Sequence, residues 1–356
     1  MKLNNLILAI FIFLVVFMVL TILKPNFKNS KTPEPESPPI SISPETPPPP
    51  PPPPIETPNI TTQIPNYLSY PDIIKQLKIW NEEAPRLTEV GVYGKTSRGQ
   101  DIYFIRVTNE HTDLALNDQG NGIWNVEPKS KVLVTGCIHG NEPHSTATIM
   151  AYIGSMLASY GKDDKITSLI QGREIFFVPV VSPDSYPRSR YVDGVDPNRD
   201  FENKRSAPIR EVQKFFLQHK FDAAWSGHTW GRVFLYPWGK SMTPCPDDAV
   251  YREVMDEVAQ LCQYRLIRAC EMYTSNGLNN PPIRYGMPGW GGGEFRPIYG
   301  TEMDWYYGHG AFAVVCEYGT HQRIPSHSEI ESEFNRTFKG FLYFLEKAPL
   351  AINRPN

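Results

Sequence analysis

Cysteine is scarce in this chain. Five residues in 356, Cys137, Cys245, Cys262, Cys270 and Cys316, stand in odd number and at irregular spacing, which excludes a disulfide framework as the organising principle. Cys137 and Cys316 sit in apolar, strand-like runs and read as buried thiols, while one bridge from Cys245 to Cys262 or Cys270 stays open. An excess of either charge is also missing. The net charge is −3 at pH 7 and no basic stripe interrupts it, so no nucleic-acid partner is expected. The glycine-rich stretch "GMPGWGGGEF" (286–295) carries no phosphate-loop lysine and hydroxyl pair, which excludes a nucleotide cradle and leaves a flexible lip as its reading. No internal repeat is visible.

Proline and uncharged apolar sequence are abundant, and both concentrate at the N-terminus. Residues 6–23, "LILAIFIFLVVFMVLTIL", contain no charge and are near the length needed to span a bilayer. No small-x-small cleavage site follows, so a retained, single-pass membrane anchor is expected. Lys2 precedes the run and Lys24, Lys28 and Lys31 follow it, a distribution that does not fix orientation. A stalk follows, with eight consecutive prolines at 47–54. At about 3.1 Å per residue in polyproline II it would hold a domain on the order of 100 Å from the bilayer. A stalk of that kind favours an extracytoplasmic domain. The expected division is therefore a tail (1–5), a transmembrane anchor (6–23), a Pro-rich linker (24–63) and a globular catalytic domain (64–350).

From about residue 64 strands and helices alternate. Helical periodicity covers 70–85, 143–160, 207–220, most of 247–273 and 328–348. Strand patterns cover 87–109 in two runs, then 131–139, 174–182, 221–228, 232–238 and 310–319. This alternation predicts one α/β domain with a sheet covered by helices on both faces. Ligands of open α/β sheets bind beyond the carboxyl ends of the strands. His139, His228 and Glu317 each stand at such an end, so three polar side chains could meet in one crevice. His139 and Glu142 also form a short H-x-x-E pair on one loop. With a distant third ligand, His228, they would match the three-ligand, one-open-position pattern of catalytic zinc.

The segments "TGCIHGNE", "SPDSYPRSRYVDGVDPNRDF", "SGHTWGRVFLYPWG" and "MDWYYGHGAFAVVCEYG" follow one another in an order and spacing that resembles the zinc metallocarboxypeptidase superfamily of the carboxypeptidase A/B type, the funnelins. "YPDIIKQL" and "GVYGKTSRGQDIYFIRV" look like the start of the same catalytic domain, and the resemblance covers about 66–347. It implies a single α/β domain with a central mixed, twisted sheet of about eight strands, beginning straight after the stalk with no room for a folded pro-domain. It implies one Zn2+ per chain held by His139, Glu142 and His228, and Glu317 as the catalytic carboxylate. It implies that Asn198 and Arg199 bind the terminal carboxylate of a peptide substrate. Arg188 and Arg190 are both available to polarise the scissile carbonyl, with Arg190 favoured because it lies nearer the "GVDPNR" turn. Tyr299 would close over substrate, and Met303 would lie at the base of the specificity pocket, where it disfavours C-terminal Lys or Arg.

Departures from the digestive enzymes leave other readings open. The segment from Pro183 to Asn198 is shorter, and Tyr299 lies only five residues before Asp304. Asp200 reads as a turn or cap residue, Glu302 as exposed, and His144, His309 and His321 as structural. Trp225, Trp230, Trp238 and Trp305 read as core packing. "HGNEP" also resembles N-acyl amino acid deacylases of the aspartoacylase and desuccinylase kind, and amidases that trim murein peptides, so a muropeptide substrate stays open. A catalytically inactive surface binder on the same scaffold is the third alternative. Oligomeric state is not legible.

Overall fold

Why the first helix forms is written in its own residues. In the computed structural model, which describes residues 66–109, 114–116, 122–124, 129–273 and 297–352, the helix α1 spans Tyr70–Glu83. Ser69 caps it by accepting from the Asp72 N–H, and Pro71 occupies the first turn. Ile73, Leu77 and Trp80 then recur at helical spacing and are buried.

Two strands follow, β1 (Thr88–Lys95) and β2 (Asp101–Val107), paired antiparallel. A separate two-stranded ribbon pairs β3 (Leu114–Leu116) with β4 (Gly122–Trp124). Then come β5 (Ser130–Gly136), α2 (Pro143–Ser159), α3 (Asp164–Gly172) and β6 (Arg173–Val178). They are followed by α4 (Ala207–His219), β7 (Ala223–Thr229), β8 (Val233–Tyr236), α5 (Asp248–Cys262) and β9 (Arg265–Arg268). The chain continues through α6 (Glu302–Gly308), β10 (Phe312–Tyr318) and α7 (His327–Ala351). The eight-stranded sheet has the order β1-β2-β6-β5-β7-β10-β8-β9. Its centre, β6-β5-β7-β10, is parallel, while β1, β2 and β8 pair antiparallel with their inner neighbours. This is the mixed sheet of about eight strands that the family resemblance implies.

Register assigns the two faces. Phe177, Val134 and Trp225 are partners across β6, β5 and β7, and so share one face; Phe176, Leu133 and Ala224 share the other. On the first face Trp225 meets Phe341 and Phe344 of α7, at 5.3 and 5.0 Å between ring centroids, and Tyr152 of α2 stacks on Phe341 at 4.4 Å. On the second, Phe176 meets Phe215 of α4 at 5.7 Å, and Phe216 stacks on Tyr306 of α6 at 4.7 Å. Helices therefore cover both faces, which is why the central strands read as continuous apolar runs.

Several expectations change. The helical reading of 247–273 ends at Cys262, where Gln263 takes a left-handed φ of 53° and the chain turns back into β9, parallel to β8. The short helices α3 and α6, capped by Asp163 and Thr301, had too few residues to show a period. All five cysteines are free and buried, which closes the Cys245 alternative. The expected single-pass membrane location, with its extracytoplasmic domain, is also corrected: among the described residues no helix is long and apolar enough to cross a membrane. The longest, α7, has 25 residues but carries Glu329, Glu331, Glu333, Arg336, Lys339, Glu346 and Lys347. Residues 6–23, the stalk and the glycine-rich 286–295 lie outside the described residues.

Candidate active site

β5 delivers the first two groups. After Gly136 the backbone turns through Cys137, whose φ of 46° breaks the strand. The Ser145 hydroxyl accepts from the Cys137 N–H at 3.1 Å and donates to the Glu142 carbonyl at 2.8 Å, latching the loop onto α2. Gly140 is required here, because a Cβ would come within 2.5 Å of Ser185. Glu142 stands immediately before α2 but makes no side-chain cap bond, so its carboxylate faces the histidines instead.

β7 and β10 deliver the other two. They are parallel neighbours with Glu317 opposite His228, so strand alternation places both side chains on the face covered by α4 and α6. Glu142 bridges the imidazoles: its Oε1 lies 3.0 Å from His139 Nδ1 and its Oε2 3.0 Å from His228 Nδ1. The two rings meet edge to face at 5.1 Å. His139, Glu142 and His228 are 3%, 1% and 2% exposed, and one ligand atom from each falls within 4.8 Å of the others.

Each imidazole is held from behind by a second carboxylate. Asp196 Oδ1 lies 3.0 Å from His139 Nε2, and Glu302 Oε1 2.6 Å from His228 Nε2. That leaves both Nδ1 atoms facing Glu142, the arrangement that carboxylate–histidine–zinc triads use. Against the penalty of burial, His139 and His228 hold the Glu142 carboxyl well below the usual carboxylate range. His228, against the same penalty, is raised by Glu142 and Glu302. A concentration of negative charge around two imidazoles is what a divalent cation satisfies, and two imidazoles with one carboxylate is a catalytic zinc donor set.

The triad opens into a cleft. By chemistry its lining falls into a charged and polar wall of Arg190, Asn198, Arg199 and Glu317 and an apolar wall of Leu235, Ala269, Met272, Ile298, Met303 and Val315, the two adjoining on β10, where Val315 and Glu317 lie two residues apart. Arg190 is fixed by Asp196, which accepts from it at 2.8 and 2.9 Å, and lies 4.0 Å from Glu142. Asn198 accepts from the Glu302 N–H at 2.9 Å, and Arg199 donates to the Asn198 carbonyl at 2.6 Å. Glu317 is partly exposed to the cleft, and among the described residues no hydrogen bond or ion pair engages its carboxylate. Burial, reinforced by Glu142 and opposed by His228, His139 and Arg190, pushes it up to about 7.

Of the residues expected at the site, Arg188 is exposed and Tyr299 is 55% exposed; neither lines the cleft. Glu302, expected on the surface, is completely buried because it lies beneath His228. Trp230, expected in the core, lines the cleft. Asp200 caps the approach to α4, accepting from Arg205 and Ser206 N–H groups. Three groups escaped the sequence reading. Asp196 and Glu302 back the histidines, and Gln322 donates to Glu142 at 3.3 Å. The Asp-Pro step of "DPNRDF" is a turn signal that could have drawn attention to Asp196. Nothing local marks Glu302 or Gln322.

Comparison with known proteins points to one family. The zinc carboxypeptidase family profile matches residues 73–340. Mouse (Mus musculus) carboxypeptidase D is 22% identical over 310 residues, covering 78% of this chain and 21% of its own length. Carboxypeptidase SOL1 of Arabidopsis thaliana is 21% identical over 291 residues, covering 76% and 54%. The chain thus spans about a fifth to a half of the length of these relatives. The structure of thrombin activatable fibrinolysis inhibitor shares the fold, with a TM-score of 0.65 at 16% identity over 80% of this chain and 74% of that one.

Proposed function

Since the chain belongs to the zinc carboxypeptidase family and is a metallocarboxypeptidase hydrolase with zinc as its cofactor, we propose that it releases the C-terminal residue of peptides, with Glu317 activating the attacking water. The observation that carries this reading is the uncommitted Glu317 carboxylate in one cleft with the His139–Glu142–His228 triad and the Arg190, Asn198 and Arg199 side chains. His139, Glu142 and His228 would hold the zinc, which would supply a water of lowered pKa and polarise the scissile carbonyl.

Glu317 is the group to accept a proton from the attacking water and pass it to the leaving amine; a base near the operating pH suits both transfers. Arg190, held by Asp196, donates to the developing oxyanion. Arg199 offers a planar fork to the substrate's terminal carboxylate, and Asn198 adds a neutral donor. Together they select a chain end over a chain middle. The apolar wall, which includes the buried Met303, accepts an apolar or small C-terminal side chain. Tyr299, exposed beside the cleft-lining Ile298, is assigned to cover bound substrate.

A panel of peptides differing only in their last residue, run beside N-acyl amino acids and muropeptides, tests this. Peptides ending in Leu, Phe or Ala should lose that residue about 10-fold or more faster than those ending in Lys, Arg or Glu. Deacylation or muropeptide cleavage without release of C-terminal residues would overturn the proposal.

A further inference from the structure

Glu302 sits between two cleft-lining residues, Thr301 and Met303, yet is itself fully buried. On so short a helix as α6 one side chain can face the cleft while its neighbour is turned beneath it. The turn is held from three sides. The Thr301 hydroxyl accepts from the Asp304 N–H, the Asp304 carboxylate accepts from the Gly239 and Lys240 N–H groups, and Asn198 accepts from the N–H of Glu302 itself. Glu302 is therefore delivered to His228 on a fixed support, with Oε1 2.6 Å from Nε2 and Oε2 buried with no hydrogen-bond partner. Burying a carboxylate with one oxygen unpartnered is expensive, and no packing role requires an acid at this position.

We propose that Glu302 is the positioning residue for His228, holding the imidazole with its proton on Nε2 so that Nδ1 is free to ligate zinc. Asp196 stands in the same relation to His139. The two arms differ in their surroundings. Asp196 is partly exposed and shared with Arg190, whereas Glu302 is completely buried and serves His228 alone among the contacts of its carboxylate. The support also ties zinc ligation to substrate anchoring, since the residue that fixes His228 is the one whose backbone fixes Asn198.

The proposal rests on zinc binding by the triad, so the full chain is first titrated with zinc against a chelator of known affinity. Failure of the wild-type protein to bind would remove the zinc reading itself. Given wild-type binding, Glu302→Gln and Glu302→Ala should weaken zinc affinity about 10- to 100-fold, the alanine variant more. Unchanged affinity in either folded variant would overturn the positioning role. Should neither variant fold, the zinc-loaded wild-type protein decides alone. Histidine 15N chemical shifts should show His228 protonated at Nε2 and metal-bound at Nδ1, and the reverse assignment would overturn the proposal.

Discussion

The charged and apolar parts of the cleft lining, its two walls in chemical terms, are built in opposite ways. On the charged wall almost every group is engaged before substrate arrives: Arg190 by Asp196, Asn198 by the Glu302 N–H, and both imidazoles by paired carboxylates. Donors oriented in advance need no reorganisation as charge develops, which is where electrostatic catalysis gains most. The apolar wall has no such network. Leu235 and Val315 come from the paired strands β8 and β10 and Met303 from α6, and their shape alone can discriminate. In the proposed reaction the charged wall would do chemistry on any acceptable chain end, and the apolar wall would decide which end is acceptable.

Glu317→Gln is the strongest way to break that division. Glu317 is the one carboxylate on the charged wall with no partner among the described residues, so removing its charge should leave the fold and the triad intact. A loss of about 10²- to 10⁴-fold in kcat is expected, with zinc content unchanged by metal analysis. A Glu317→Gln enzyme with near-wild-type kcat would show that the base lies elsewhere.

A smaller effect separates binding from selection. Arg199→Ala removes a charged fork and should raise KM by about 30-fold, corresponding to roughly 2 kcal/mol, by a similar factor for every C-terminal residue. Arg199→Lys should recover little of it, because an ammonium cannot reproduce the fork. Met303→Ala should instead change selectivity, favouring Phe over Ala at the C-terminus by about 10-fold while leaving kcat for small residues near wild type. If Arg199→Ala altered selectivity as strongly as Met303→Ala, the two walls would not be separate devices.

The sequence made one of these walls far more legible than the other. His139, His228 and Glu317 stand at the ends of apolar runs, and a parallel sheet collects strand ends on one edge, so pattern alone could bring them together. Glu142 was visible because it is three residues from His139 on the same loop. Asp196 and Glu302 were not visible, because a supporting carboxylate lies 57 residues from its histidine in one case and 74 in the other. Most of the apolar wall was equally hidden. Leu235, Ala269, Met272, Ile298 and Val315 look like ordinary core residues until the fold opens a cleft beside them. β9 was lost for a related reason: four residues following a long helix carry no period of their own, and only pairing with β8 makes them a strand.

The smallest effect concerns stability and isolates the environment of Glu317 without substrate. In metal-free protein, burial raises its pKa from 4.5 to about 7, so the folded state holds this proton more tightly than the unfolded chain does. A raised carboxyl pKa means the contribution favours folding at low pH. It fades as pH rises from about 4.5, and above about 7 the folded state carries the full penalty of an ionised, partly desolvated carboxylate. Glu317→Gln removes that penalty. The metal-free variant should therefore be more stable than metal-free wild type at pH 8 by on the order of 1–3 kcal/mol, seen as roughly 2–6 °C in Tm. The difference should shrink through pH 6 and vanish near pH 4. Saturating zinc should reduce it at pH 8 as well, since a divalent cation beside Glu317 favours its ionised form. A pH-independent difference between the two proteins would mean that the substitution acts through packing, and that the Glu317 carboxyl is not held in the desolvated setting a general base on the charged wall requires.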